Sequence, residues 1–239
     1  MIDTFSRKRF DATDVVIASC LTLLSITACS NDSTTAPTPV LTNITISSGG
    51  AQNAVVGSAL ASPVVAKVTD QSGNPISGII ITFTPSASSG SVSATQVTTD
   101  TSGTASVTWT LGTVAGTDSM SVTAGSLSPA TVVASASPGA PAALTIVGGN
   151  NQSAPIDSTL STTLQVKVTD QFGNVIPNTV VSWTDDSGGM FSTSSTLTDA
   201  TGIATVQYTL GPTPGVEDVT ASVSVAGAPM STSFTETGN

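Results

Sequence analysis

Val64-Val65-Ala66-Lys67-Val68-Thr69-Asp70-Gln71 puts Val64, Ala66 and Val68 in one phase and Val65, Lys67 and Thr69 in the other. Successive side chains of a strand point to opposite faces, so this alternation marks a half-buried β-strand. Its last five residues return unchanged as Lys167-Val168-Thr169-Asp170-Gln171, one hundred positions later. Working outward, Ile44-Thr45-Ile46 returns as Leu144-Thr145-Ile146, Gly73-Asn74 as Gly173-Asn174, and Ile81-Thr82-Phe83 as Val181-Ser182-Trp183. After a one-residue deletion the offset is 99, and Thr99-Asp100, Gly103 and Leu111-Gly112 become Thr198-Asp199, Gly202 and Leu210-Gly211. Residues 44–112 are thus rewritten as residues 144–211. Such a period is too long for a solenoid repeat and is the size of one small domain.

The same alternation recurs inside each copy. Ala105, Val107, Trp109 and Leu111 alternate with Ser106, Thr108 and Thr110, and Ala204, Val206, Tyr208 and Leu210 repeat the phase. Phe83 pairs with Trp183 and Trp109 with Tyr208, and replacement of one aromatic by another at matched strand positions predicts a core. Asp100-Thr101-Ser102-Gly103 and Asp199-Ala200-Thr201-Gly202 read as turns, with an Asp that accepts backbone N–H bonds and a Gly that supplies positive φ. About seven short antiparallel strands per copy, broken by such turns and with no amphipathic helix, predict two tandem Ig-like β-sandwiches, an all-β chain. Ser137-Pro138-Gly139-Ala140-Pro141 reads as a short linker, which predicts a two-module rod with limited bending.

The ordered set Ala66-Lys67-Val68-Thr69-Asp70, Gly73-Asn74-Pro75, Ile81-Thr82-Phe83 and Thr99-Asp100-Thr101-Ser102-Gly103 resembles the bacterial Ig-like domain 1 (Big-1) family of intimin and invasin. The second copy keeps the pattern but has Val175 in place of Pro75. The resemblance implies an Ig-like sandwich used as an extracellular spacer or adhesion module. It does not extend to the outer-membrane barrel or the cysteine-bearing lectin-like tip of those proteins, so receptor binding is not implied with it.

The N-terminus reads as an address. Arg7-Lys8-Arg9 precedes an apolar run from Val15 to Ala28, about 14 residues and the length of a signal-peptide core. Ile26-Thr27-Ala28-Cys29 resembles a lipobox, which implies cleavage before Cys29 and lipidation of that residue. Ser30 rather than Asp follows, which points to an outer-membrane lipoprotein of the cell envelope, facing the surface or the periplasm. The expected organisation is a signal peptide over 1–28, a disordered polar tether over 29–39, and Ig-like modules over 40–137 and 142–239.

Composition excludes several function classes. Beyond residue 14, Lys67 and Lys167 are the only cations, against twelve acidic residues. Nucleic-acid binding needs clustered cations to displace the counterions of phosphates, and none are clustered beyond residue 14. It has no histidine, and its two cysteines, Cys20 and Cys29, both precede the repeats. The modules therefore hold no disulfide, no thiol nucleophile and no His general base. No enzyme activity and no cofactor are expected.

Three features differ between the copies. Asp185-Asp186, with Asp199, is the densest acidic spot, but it lacks the spacing of a calcium loop, and the equivalent Pro85-Ser86 of the first copy is uncharged. Solvated loop acids are the expectation, a metal site the alternative. Phe172 lies in a loop where the first copy has Ser72. It is read as packing over its own loop, with an exposed contact residue as the alternative. The third is Pro75 against Val175. The functional expectation is a lipid-anchored, non-catalytic spacer or adhesion element, held to the membrane by lipid on Cys29, with a cell-surface protein or glycan as its class of partner. The alternative is a calcium-dependent or glycan-binding adhesin that uses loops of the second module.

Overall fold

The computed structural model describes residues 39–226 and 228–239. All of their regular structure is β-strand. The first module comprises β1 (Leu41–Ser48), β2 (Gln52–Val55), β3 (Val64–Asp70), β4 (Ile80–Pro85), β5 (Ser91–Val92), β6 (Gln96–Thr98), β7 (Thr104–Val107), β8 (Trp109–Thr110), β9 (Gly116–Ala124) and β10 (Ala130–Ser137). The second repeats the series as β11 (Ala143–Gly148), β12 (Ser153–Ala154), β13 (Leu164–Thr169), β14 (Val180–Asp185), β15 (Met190–Phe191), β16 (Ser195–Leu197), β17 (Ile203–Val206), β18 (Tyr208–Thr209), β19 (Gly215–Val223) and β20 (Met230–Gly238).

Each module pairs a three-stranded sheet, β1-β3-β7 or β11-β13-β17, with a five-stranded one, β2-β10-β9-β4-β6 or β12-β20-β19-β14-β16. A two-stranded ribbon, β5-β8 or β15-β18, accompanies them. Each module has ten strands against the expected seven, and one of the extra strands has a local cause. The run from Thr104 to Thr110 breaks at Thr108, pairing with β3 before the break and with β5 after it. One pairing per module also departs from the antiparallel expectation, for β2 and β12 lie parallel to the final strands β10 and β20. The N-terminal stretch leaves the smaller sheet after β1 and joins the larger one as β2, so it feeds both sheets.

The phase of each strand decides its burial. In β3, Val64, Ala66 and Val68 are buried while Val65 and Lys67 are partly exposed, and β13 repeats this with Leu164, Val166 and Val168. Two separate cores result, one per module. Phe83 and Trp109 lie in the first, Trp183, Tyr208 and Phe234 in the second, and all five are buried. Burial of each such side chain stabilises the fold by roughly 1.5–3 kcal/mol. Trp183 and Phe234 pack with ring centroids 6.1 Å apart. Residues 39–239 together form one compact unit.

Candidate functional site

The turns that begin with Asp are held by their carboxylates. Asp100 Oδ1 accepts the N–H groups of Ser102 and Thr104, each at 2.9 Å, and Gly103 adopts φ 69°. Asp199 Oδ1 accepts from Thr201 N at 2.8 Å, Thr201 Oγ1 at 2.7 Å and Ile203 N at 3.1 Å, with Gly202 at φ 75°. Donation from Thr104 backbone and side chain holds the Asp100 carboxyl below the usual carboxylate range, and the Thr201 hydroxyl, followed by the Ile203 and Thr201 N–H groups, does the same for Asp199.

The three acids grouped by sequence have different hydrogen-bond partners. Asp185 ends β14 and accepts Gly189 N–H on Oδ2 at 2.7 Å. Asp186 is exposed and accepts only from Ser187 Oγ, at 3.0 Å. Asp199 is occupied by its own turn. Among the described residues no group of three or more His, Cys, Asp or Glu side chains is placed to hold a metal ion.

Asp185 belongs instead to a buried polar cluster that sequence reasoning missed. The Tyr208 hydroxyl shares its one proton between Asp185 Oδ1 and Glu217 Oε2, each 2.8 Å away. Glu217 also accepts Gly211 N–H. Burial and these two carboxylates push the Tyr208 hydroxyl far above its ordinary value, so it stays neutral. The first module solves the same position differently. There Trp109 Nε1 donates to the Ser89 carbonyl at 2.8 Å, and buried Asp118 accepts Gly112 N–H at 2.8 Å.

Glu236 stands opposite Glu217 in the β19–β20 ladder and is fully buried. Its Oε2 accepts Gln152 N–H at 2.7 Å, while Oε1 has no partner. Burial pushes this carboxyl up to about 7, against the smaller opposing pull of the Gln152 and Asn151 N–H groups. In the first module Ala134 holds the matching place opposite Asp118 and lines a cleft of about 190 Å³ with Ala51, Gln52, Thr117 and Val133. The signal for these acids was present in the sequence. Asp118, Glu217 and Glu236 all fall in the buried phase of their strands.

Phe172 belongs to the Asp170–Asn174 loop, and this loop meets the first module. Asn174 Nδ2 donates to the Thr113 carbonyl at 2.9 Å, and Asn174 Oδ1 accepts Ala115 N–H at 2.8 Å. Asp170 Oδ2 accepts the N–H of Gly139, in the linker, at 2.9 Å. Burial opposes ionisation of Asp170, but hydrogen bonds from Asn174, Gly139 and Phe172 outweigh it and hold the carboxyl below its usual range. The Phe172 ring is 45% exposed, and a Cβ placed on Gly57 would meet it at 3.6 Å. Phe172 thus lies against the other module while remaining exposed. Pro75 and Val175 take the same place, each bridging back to Thr69 or Thr169. Cys29, the predicted lipidation residue, lies outside the described residues.

Fold and site together define a tandem Ig-like sandwich protein. A family model for the bacterial Ig-like domain (group 1) matches residues 49–136 and again residues 145–235, and the chain belongs to that family. Among solved structures the chain is similar to InvD of Yersinia pseudotuberculosis, with 23% identity and a TM-score of 0.53 over 78% of this chain and 55% of that one. It is similar also to the D0-D1 domain of intimin, with 20% identity and a TM-score of 0.33 over 82% and 98%. For invasin, described as a bacterial integrin-binding protein, the values are 22% and 0.38 over 83% and 40%. The chain has no match among curated protein sequences.

Proposed function

We propose that this chain is a non-catalytic, lipid-anchored element of the bacterial cell envelope, in which two Ig-like modules act as a spacer or adhesion unit. The observation that carries the reading is that two domains of one family meet through a hydrogen-bonded joint rather than through a bare linker. A joined pair of sandwiches sets a fixed separation, as a spacer must. Membership of the bacterial Ig-like domain (group 1) family fits the same reading, as does the lipobox-like Ile26-Thr27-Ala28-Cys29. Several acyl chains on Cys29 would hold the chain firmly, since one chain alone is marginal.

Growth with a labelled fatty acid, followed by recovery of the protein, tests the anchor. The label is expected on the unaltered chain and absent from Cys29→Ser. Equal labelling of the two, or labelling of neither, would remove the lipid anchor from the account.

A further inference from the structure

The joint between the modules uses Asp170 and Asn174, which the repeat keeps as Asp70 and Asn74, the backbone carbonyl of Thr113, and four further positions that differ on the outer ends of the pair. On the loop side, Phe172 and Gly139 correspond to Ser72 and Pro39 at the start of the first module. On the receiving side, Gly57 and Ala115 correspond to Asp157 and Pro214 at the far end of the second. The backbone confirms the match. Gly57 N–H donates to the Gly112 carbonyl as Asp157 N–H does to that of Gly211, and Gly116 and Gly215 adopt φ 139° and 140°.

Each change removes one contact of the joint. Ser72 has no ring to lay on a neighbour. Pro39 has no N–H to give the Asp70 carboxylate, as Gly139 gives to Asp170. Pro214 likewise lacks the N–H with which Ala115 meets Asn174. Asp157 carries a side chain where Gly57 leaves room for the Phe172 ring, although both residues adopt positive φ, 57° and 71°. The loop itself is the same on both modules: Asp70 Oδ1 accepts from Ser72 and Asn74, and Asp170 Oδ1 from Phe172 and Asn174. Turn chemistry is conserved between copies, and only the docking contacts differ.

We infer that the junction is a keyed latch that holds the second module in one orientation on the first, and that the outer ends of the pair lack its key. The latch is a property of the joint and stands apart from how the chain is anchored or what it touches.

The test moves the outer-end residues into the joint. Gly57→Asp, Ala115→Pro and Phe172→Ser are each a residue that this fold already accepts at the matched place, so both modules are expected to keep their own melting transitions. Spin labels at Ser106→Cys and Thr205→Cys, exposed positions on β7 and β17, report the distance between modules in the full chain with Cys20 and Cys29 replaced by Ser. A single narrow distance peak is expected for the parent and its loss for the triple variant, with Phe172→Tyr retaining the peak. If one module of the triple variant fails to fold, Ala115→Pro and Gly57→Asp are read singly, each expected to broaden the peak. A parent distribution as broad as that of the variants, or variants as narrow as the parent, would overturn the latch.

Discussion

Glu217 and Glu236 face each other across adjacent antiparallel strands, both are buried, and no cation among the described residues lies with them. Glu217 is tied to the Tyr208 hydroxyl and the Gly211 N–H, whereas Glu236 has one oxygen with no partner at all. Module two therefore carries a charge that its interior opposes.

That opposition has a sign. The folded-state value of Glu236, about 7, lies above its ordinary 4.5, so the folded protein holds a proton that the unfolded chain releases. Its contribution to stability is full below 4.5 and is lost as pH rises through about 7. Scanning calorimetry should show the second module melting at a lower temperature at pH 8 than at pH 4.5. Glu236→Gln keeps an acceptor for the Gln152 N–H and should flatten this dependence, raising the pH 8 melting temperature above that of the parent. An unchanged pH profile in the variant would contradict the assignment.

Asp170 titrates with the opposite sign. Its carboxyl is held below the ordinary 3.8, so its contribution is present above that value and lost as pH falls through the lower folded one. Asp170→Asn should cost about 1.5–3 kcal/mol at neutral pH, the usual worth of hydrogen bonds to a charged group. Denaturant titration at pH 7 and near pH 2 checks this, with the difference expected to shrink in acid.

Trp183→Ala should cost on the order of 3–5 kcal/mol, as for other buried aromatics cut to Ala. Trp183 is 2% exposed and also donates from Nε1 to Thr196 Oγ1 at 2.9 Å. Urea denaturation measures the loss, and a midpoint equal to that of the parent would contradict the core assignment.

Tyr208→Phe removes the only proton shared by Asp185 and Glu217. Both keep their Gly189 and Gly211 N–H donors, so the loss is that of hydrogen bonds to charged groups, roughly 1.5–3 kcal/mol. The loss should fall on the second module alone, since Trp109 fills the matched place in the first through a carbonyl partner.

Calcium should leave both transitions where they are. A ligand that binds only the folded state must raise the melting temperature. Asp185 and Asp199 already accept protein donors, and Asp186 is exposed. A rise in melting temperature in millimolar calcium would favour the calcium-dependent adhesin instead.

The alternation of Val64, Ala66 and Val68 with Val65 and Lys67 carried the sandwich, because a half-buried strand has to show its two faces in period two. The Asp100 and Asp199 turns were equally legible, since their hydrogen bonds stay within five residues. What the alternation did not disclose were contacts between distant segments. Asn174 reaches Thr113 and Ala115 about sixty residues away, and no local pattern encodes that. Phe172 stood out as a difference between copies, but its setting against Gly57 depends on how one module sits on the other. Glu217 and Glu236 were not singled out, because acids are expected to be solvated, although their phase in β19 and β20 already placed them inside.

Protease treatment of intact cells tests the central claim most directly. A surface spacer or adhesion element is expected to release fragments carrying both modules while periplasmic proteins stay intact. Complete protection of the modules until the envelope is permeabilised would contradict it.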